Sequence, residues 1–462
     1  MAPEFEKALR ALCDASCIYD ADKISALDPG EHSDNLNATL AVAPQSADEL
    51  SEILGLCNTC GVPAVTHGGR TGLCGGAVTC PGELVVLTHR MNAIESIDGE
   101  SGVIVVGAGV VLSALNAALR EHGWTVGIDL AARDSATIGG MVSTNAGGNE
   151  AFRNGVMRQR VLGIEAVMAD GAVFRDLGKV TKNNDGYDIK QLLIGSEGTL
   201  GVVTKVVLKL EPLTRPPKTA MCACESATQA VGLFNRFARG DHGALLSAEC
   251  MWREHAVTVA HELDLQGLVE FADAQVYVLL ELVESSVNAD DQFEMALADA
   301  AEKGELCDAL IAKNDSERAD MWRIREDWAA ERKYPHGAWF DVSVPLSALD
   351  RYVAELHSAL YAIDPDFHIF AFGHLGDGNL HLSITTGKPQ SKETRAAISL
   401  AVFRDVKALG GAIAAEHGIG QEKIDTLPQH CCPIHYALMQ SVKRVFDPNN
   451  ILNRGKYIKV DD

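Results

Sequence analysis

Two histidines seven residues apart, His374 and His381, constrain the second half of this chain more than any other feature. On one straight strand, side chains at that spacing point to opposite faces, so a shared purpose requires the chain to turn between them. The stretch Gly376-Asp377-Gly378-Asn379 supplies the turn, being made of residues that accept positive φ or bond to their own backbone. Apolar runs at Phe367–Phe372 and Leu380–Ile384 flank it and read as two short strands. On the second of these, His381 and Ser383 share a face. Further along stands Glu416-His417-Gly418-Ile419-Gly420. Two imidazoles and a carboxylate are the ligand types that hold a divalent transition metal such as zinc, and three protein ligands leave positions open for a substrate. His417 is then left over for acid–base chemistry. A single histidine is more often a satisfied structural residue; two of them around a double-glycine turn, with a Glu-His pair later, favour a site.

The rest of the chain narrows what such a site serves. A length of 462 residues suggests roughly two to four domains. The formal net charge of −23 argues against nucleic acid or an anionic membrane as a general partner. No stretch is long and apolar enough to span a bilayer, and the first twelve residues carry Glu4 and Glu6 instead of a basic region and an apolar core, so a cytoplasmic location is expected. Twelve cysteines invite a disulfide or cluster reading, but their distribution resists it. Cys57 and Cys60 form a CxxC inside a helical pattern from Ser46 to Cys60, with a capping box at Ser46 and Glu49 and a stop at Gly61, and no second CxxC accompanies it. Cys222 and Cys224 alternate as strand neighbours do.

Strands are clearest at Leu84–Leu87, Val103–Val106, Val161–Met168 and Val202–Leu210, with helical patterns between them. The proline-rich Glu211-Pro212-Leu213-Thr214-Arg215-Pro216-Pro217 suits neither helix nor central strand and marks a domain boundary. Beyond it, strands at Val276–Leu282 and Trp339–Val344 alternate with helical patterns at Ala227–Ala238, Asp291–Ala301 and Leu346–Leu360, which suggests an antiparallel sheet covered by helices. The expected organisation is α+β, with domains at 1–213 and 214–429 and a closing segment, 430–462, that packs back on the first.

Three segments of the first domain hold more glycine than turns require: His67-Gly68-Gly69-Arg70-Thr71-Gly72-Leu73-Cys74-Gly75-Gly76, the run from Ser135 to Gly148, and Gly195-Ser196-Glu197-Gly198-Thr199-Leu200-Gly201-Val202. Close-set glycines let backbone N–H groups approach an anion. Each alone could be a crowded turn; three together favour a large phosphate-bearing cofactor. No Gly-Lys-Ser or Gly-Lys-Thr closes any loop, which removes the Walker pattern. Val105-Val106-Gly107-Ala108-Gly109 follows a strand, but Leu112 occupies the third glycine position of a dinucleotide fingerprint.

The three glycine-rich segments resemble the flavin-binding domain of the vanillyl-alcohol oxidase superfamily. Gly373–His381 with Glu416-His417-Gly418 resembles its branch of D-2-hydroxyacid dehydrogenases, and Asp129-Leu130-Ala131-Ala132-Arg133-Asp134-Ser135 with the unbroken Gly-His-Leu-Gly-Asp-Gly-Asn-Leu-His-Leu is most similar to the hydroxyglutarate enzymes of that branch, with the D-lactate enzymes as near relatives. The likeness runs from about residue 38 to Lys456. It implies a vanillyl-alcohol-oxidase-type FAD domain with a substrate cap domain. It also implies FAD held by Gly68, Gly69, Arg70, Thr71, Gly72, Gly75 and Gly76; by Thr137, Gly139, Gly140, Ser143, Thr144, Asn145, Gly147 and Gly148; by Glu197, Gly198, Gly201, Val202 and Val203; and by Asn453. Relatives with covalent flavin carry a histidine after the first glycine cluster. Here Thr71 stands near that position and His67 precedes the glycines, so FAD bound without a covalent link is expected.

The same resemblance implies His374, His381 and Glu416 as ligands of a divalent metal, zinc or else manganese, iron or cobalt, with His417 as general base. It implies oxidation of a D-2-hydroxy acid to the 2-oxo acid. The substrate position is where this chain departs from the pattern. The hydroxyglutarate enzymes hold the distal carboxylate with an arginine, a threonine and a lysine; Arg325 fits the first, but Ala329 and Trp339 stand at the other two, and Ser383 stands where those enzymes place a substrate-binding asparagine. A second carboxylate would lose partners, and a poorly paired buried charge is costly, although Arg332, Lys333 or His336 could compensate. The substrate expectation therefore covers D-2-hydroxyglutarate, D-lactate and a bulkier apolar acid such as D-mandelate. Two other readings within reach are a flavin subunit of a glycolate-oxidase-type complex and a non-redox flavin transferase similar to alkyl-glycerone-phosphate synthase. An electron acceptor such as an electron-transfer flavoprotein, a quinone or a cytochrome, and assembly into a homo-oligomer, are further expectations.

Overall fold

Local sequence rules are visible directly in the first long helix. Ser46 Oγ accepts the Glu49 N–H at 3.2 Å, and the Glu49 carboxylate reaches back to the Gln45 N–H at 2.8 Å, so donors at the helix start are satisfied. The helix spans Ala47–Cys60 and buries Ala47, Leu50, Ile53, Leu54 and Cys57, a single stripe at helical spacing. Burial pushes the Cys57 thiol up to about 12, so it stays protonated.

The structure, a computed structural model, describes residues 2–240, 243–283 and 292–460. The chain forms two compact units. The first comprises Met1–Gly148, Asn154–Leu213 and Glu416–Asp462; the second comprises Asn149–Arg153 and Thr214–Ala415. The break after Leu213 falls in the proline-rich stretch. The return to the first unit comes at Glu416, where the sequence reading opens its closing segment at residue 430.

The first unit holds a four-stranded sheet, in the order Ile18–Asp20, Leu40–Val42, Leu84–Leu87, Ala64–His67, and a five-stranded sheet, in the order Ile94–Asp98, Val103–Gly107, Val202–Lys209, Val161–Val167, Val173–Asp176. The second of these is antiparallel throughout. A dinucleotide fold needs parallel strands around its glycine turn, so the strand–turn–helix at Val103–Arg120 serves another purpose. A Cβ on Gly107 would strike the carbonyl of Met91, and one on Gly109 that of Thr88. These two glycines let backbones pack. The closing segment joins the same unit: Leu452 bridges Ala64, the Asn453 N–H donates to the Ala64 carbonyl, and buried Lys443 bonds Asp447 and the Leu452 carbonyl.

The second unit is built on a seven-stranded sheet. Its strands are β1 (Lys218–Cys224), β2 (Ala244–Trp252), β3 (Val276–Val283), β4 (Asp308–Ile311), β5 (Ala338–Ser343), β6 (His368–His374) and β7 (Asn379–Thr385), in the order β4-β1-β3-β2-β6-β7-β5, and every neighbouring pair is antiparallel. Alternation gives the sheet two different faces. One carries Ala220, Cys222, Val278, Leu280, Ala371, Leu382 and their like, packed under helices Ala227–Arg239, Gln292–Glu302, Leu349–Ile363 and Lys392–Phe403. The helix expected from Asp291 begins, among the described residues, at Gln292. The opposite face is apolar at one end, where Met221, Tyr277, Leu279 and Phe370 meet helices Arg253–Glu262 and Asp315–Glu326. At its other end the outward positions are polar, and there the candidate site lies.

Candidate active site

The hairpin predicted around His374 and His381 forms, as β6 and β7, with Phe372 paired to His381 and Phe370 to Ser383. Asp377 accepts the Asn379 N–H at 3.1 Å within the turn. The two imidazoles meet edge to face with ring centroids 5.4 Å apart, and a ring nitrogen of each lies within 4.8 Å of the other. Both are buried.

Two carboxylates that the sequence reading did not assign stand behind them. Glu249, fully buried in mid-β2, lies directly opposite His374 in the ladder and accepts from its Nδ1 at 2.8 Å. The other Glu249 oxygen accepts the Arg325 Nε–H at 2.8 Å. Burial pushes the Glu249 carboxyl up, but His374 and Arg325 together outweigh that and hold it below the usual carboxylate range. Asp341, also fully buried, pairs with His381 across β5–β7; its Oδ1 lies 3.7 Å from His381 Nδ1 and accepts from Asn379 Nδ2 at 2.8 Å, and its Oδ2 accepts the Ala415 N–H. The signal for Glu249 was present in the sequence: an acid at the centre of Ala244-Leu245-Leu246-Ser247-Ala248-Glu249-Cys250-Met251-Trp252 either faces water or is paired.

Arg325 sits in the last turn of helix Asp315–Glu326, nearly buried, with its guanidinium carbon 4.9 Å from the centre of the Phe372 ring. Ser383 shares the His381 face of β7; its Oγ is fully buried and has no hydrogen-bond partner. Beside it in the ladder is Trp339, whose ring packs against Trp328 at 5.0 Å. Ala329 is buried at the start of the short helix Ala329–Lys333. Lys333 pairs with Glu262 and Arg332 with Asp327, so both of these cations have acidic partners of their own.

The remaining candidates gather in the first unit. Thr137 caps the short helix Ile138–Thr144, Ser143 and Thr144 bond carbonyls one turn back, and Asn145 adopts a positive φ at its end. The Arg70 side chain turns to the Asp28 carbonyl. His67 is buried with Nε2 at 2.7 Å from the Ala77 carbonyl. Burial lowers its pKa to about 3. Two buried polar atoms at the entry to this loop, Thr66 Oγ1 and His67 Nδ1, have no partner; a ligand rich in hydroxyls and phosphate oxygens would satisfy them, as FAD is.

Glu197 is the hub of this half. Its N–H donates to the Ser143 carbonyl at 2.7 Å, its carbonyl accepts from Asn453 Nδ2 at 2.6 Å, and its carboxylate accepts the N–H groups of Ile419 at 2.6 Å and Gly420 at 2.8 Å. Gly418, at φ +82°, passes so close that a Cβ there would strike the Glu197 carboxylate. Burial raises the Glu197 carboxyl above the usual range. Glu416, on the same segment, accepts the Gly148 N–H at 2.9 Å. One residue, through its backbone and its carboxylate, thus ties the second and third glycine loops to the segment that carries Glu416 and His417.

Comparison with known proteins shows the family to which the chain belongs. Residues 214–457 match the family described as FAD linked oxidases, C-terminal domain, and residues 38–176 match the FAD binding domain. The chain is 35% identical, over 97% of its length and 80% of the relative's, to a probable mitochondrial D-2-hydroxyglutarate dehydrogenase of Oryza sativa subsp. indica. It is 36% identical, over 91% and 75% respectively, to a mitochondrial D-2-hydroxyglutarate dehydrogenase of Arabidopsis thaliana. Among solved structures, p-cresol methylhydroxylase with bound substrate superposes with a TM-score of 0.77 at 16% identity, covering 99% of this chain and 97% of that one, which establishes the fold. The matched families make the chain an FAD-dependent oxidoreductase, and its fold is of the vanillyl-alcohol oxidase type. Within that class the chain belongs to the FAD-linked D-2-hydroxyacid dehydrogenases.

Proposed function

We propose that this enzyme oxidises a D-2-hydroxy acid to its 2-oxo acid, with the substrate held on the polar end of the seven-stranded sheet. The observation that carries this reading is the grouping of His374, His381 and Arg325: imidazoles suited to a metal and a guanidinium suited to a carboxylate, on one buried face. Metal and FAD belong to the reading by the chemistry of the donor sets. His374, His381 and Glu416 would hold the metal, a set that suits zinc and admits manganese, iron or cobalt. A metal there would lower the pKa of a bound hydroxyl, and FAD, expected to bind without a covalent link, would supply the hydride acceptor.

The chain's own residues do the rest. Arg325 binds a substrate carboxylate through its planar fork. Ser383 offers a hydroxyl with unspent hydrogen-bonding capacity. His417 takes the hydroxyl proton, a role that imidazole fills because its ordinary pKa lies near neutrality.

The relatives named above act, by their names, on D-2-hydroxyglutarate, and that acid is the leading substrate. A second reading rests on Trp339 and Ala329. An indole packed on Trp328 and a buried methyl offer nothing to a second carboxylate, which favours an apolar side chain, as in D-lactate or D-mandelate. Anaerobic mixing of the oxidised enzyme with each of these three acids decides between them. Bleaching of the flavin band is expected with at least one; a band unchanged by a broad panel of D-2-hydroxy acids would overturn the proposal.

A further inference from the structure

Glu249 is a buried carboxylate to which no role in the reaction has been given, and its two oxygens are divided between two residues that have one. Oε1 faces His374 Nδ1 and Oε2 faces Arg325 Nε, both at 2.8 Å. A carboxylate removed from water is costly unless its oxygens are paired. Here the pairing is imposed by the fold, because Glu249 and His374 are direct cross-strand neighbours and Arg325 is held over Phe372.

The geometry points to Glu249 as the positioning residue that sets both halves of the substrate site, by fixing the tautomer of His374 and the orientation of Arg325. A carboxylate only accepts, so the proton of neutral His374 must sit on Nδ1, and Nε2 is left with its lone pair outward. That is the state a metal ligand requires. The bond to Arg325 uses Nε, which leaves the terminal nitrogens for an anion. The inference rests on the ligand assignment proposed above.

The alternative is an ion pair that matters for folding alone, and Glu249→Gln separates the two. Arginine cannot accept, so the glutamine oxygen must stay with Arg325 and its NH₂ must turn to His374. The imidazole then has to accept at Nδ1 and carry its proton on Nε2, which closes the ligand position while the shape of the site is kept. Titration of the metal-depleted, FAD-loaded protein with Zn²⁺ is expected to show binding roughly 10- to 100-fold weaker in Glu249→Gln than in the wild type. The oxidised flavin spectrum should be close to that of the wild type, and the melting temperature should fall because buried Arg325 loses its counter-charge, so both titrations are run well below the variant's transition. Selective ¹⁵N labelling of histidine, with His374 assigned by the signal lost in His374→Ala, should show the proton on Nδ1 in the metal-depleted wild type and on Nε2 in the variant. Equal zinc affinity in the two proteins, or a wild-type His374 protonated on Nε2, would overturn the inference. If the wild type itself takes up no zinc, the ligand assignment falls, and the histidine spectra still decide the role of Glu249.

Discussion

His67 and His255 set an acid limit on the folded state. Each is almost wholly buried, and burial lowers each pKa from 6.5 to about 3, with nearby Arg325 adding to the effect at His255. A histidine kept neutral in the fold takes up a proton first in the unfolded chain, so stability is complete above pH 6.5 and is lost as pH falls from there toward 3. Between pH 7 and pH 5 each histidine should cost about 2 kcal/mol of stability, the proton affinity of the unfolded imidazole over that interval. Denaturant unfolding at the two pH values tests this with His67→Gln, whose amide can still donate to the Ala77 carbonyl. The variant should lose about 2 kcal/mol less than the wild type across the interval, and an unchanged pH dependence would contradict it.

At the scale of elements, the segment Glu416–Gly420 has no strand or helix of its own. Its placement depends on bonds to neighbours, among them the two N–H groups held by Glu197 and the Gly148 N–H on Glu416. Glu197→Ala would leave the buried amides of Ile419 and Gly420 without an acceptor, at about 1–3 kcal/mol each. A fall in melting temperature is expected together with faster hydrogen exchange at those two amides; exchange at the wild-type rate would show that the strap is not what holds the segment. Elements defined by local chemistry were legible in the sequence. The Ser46 cap, the hairpin turn at Gly376–Asn379 and the strand alternation around Val276 and Leu380 all follow from rules that act within a few residues. The paired Gly107 and Gly109 illustrate the opposite case: strand and helix flank them as in a dinucleotide fold, but the strands pair antiparallel and the glycines make room for the backbone at Thr88 and Met91.

At the scale of the molecule, the glycine loops belong to one compact unit and His374 and His381 to the other. Glu416 is counted with the glycine loops, but the metal would be held by side chains to which no flavin contact is assigned, so its removal is expected to leave the flavin bound. Treatment with a strong chelator should abolish reduction of the flavin by the hydroxy acid, while the flavin remains bound and is still reduced by dithionite; unfolding in acid should then release it into solution. Full activity in a preparation shown to be free of metal would refute the assignment of His374, His381 and Glu416.

The sequence alone determined which segments turn, which alternate and which crowd glycine, and it nominated His374, His381, Glu416 and His417 as candidates by short motifs and Arg325 by family resemblance. Only the tertiary structure decided what stands behind them. Glu249 meets Arg325 from 76 residues away and His374 from 125, and Glu197 meets Ile419 from 222. Such pairings depend on strand order and register, which place one acid against a basic partner or a buried amide and leave another in water, and no spacing along the chain encodes that choice.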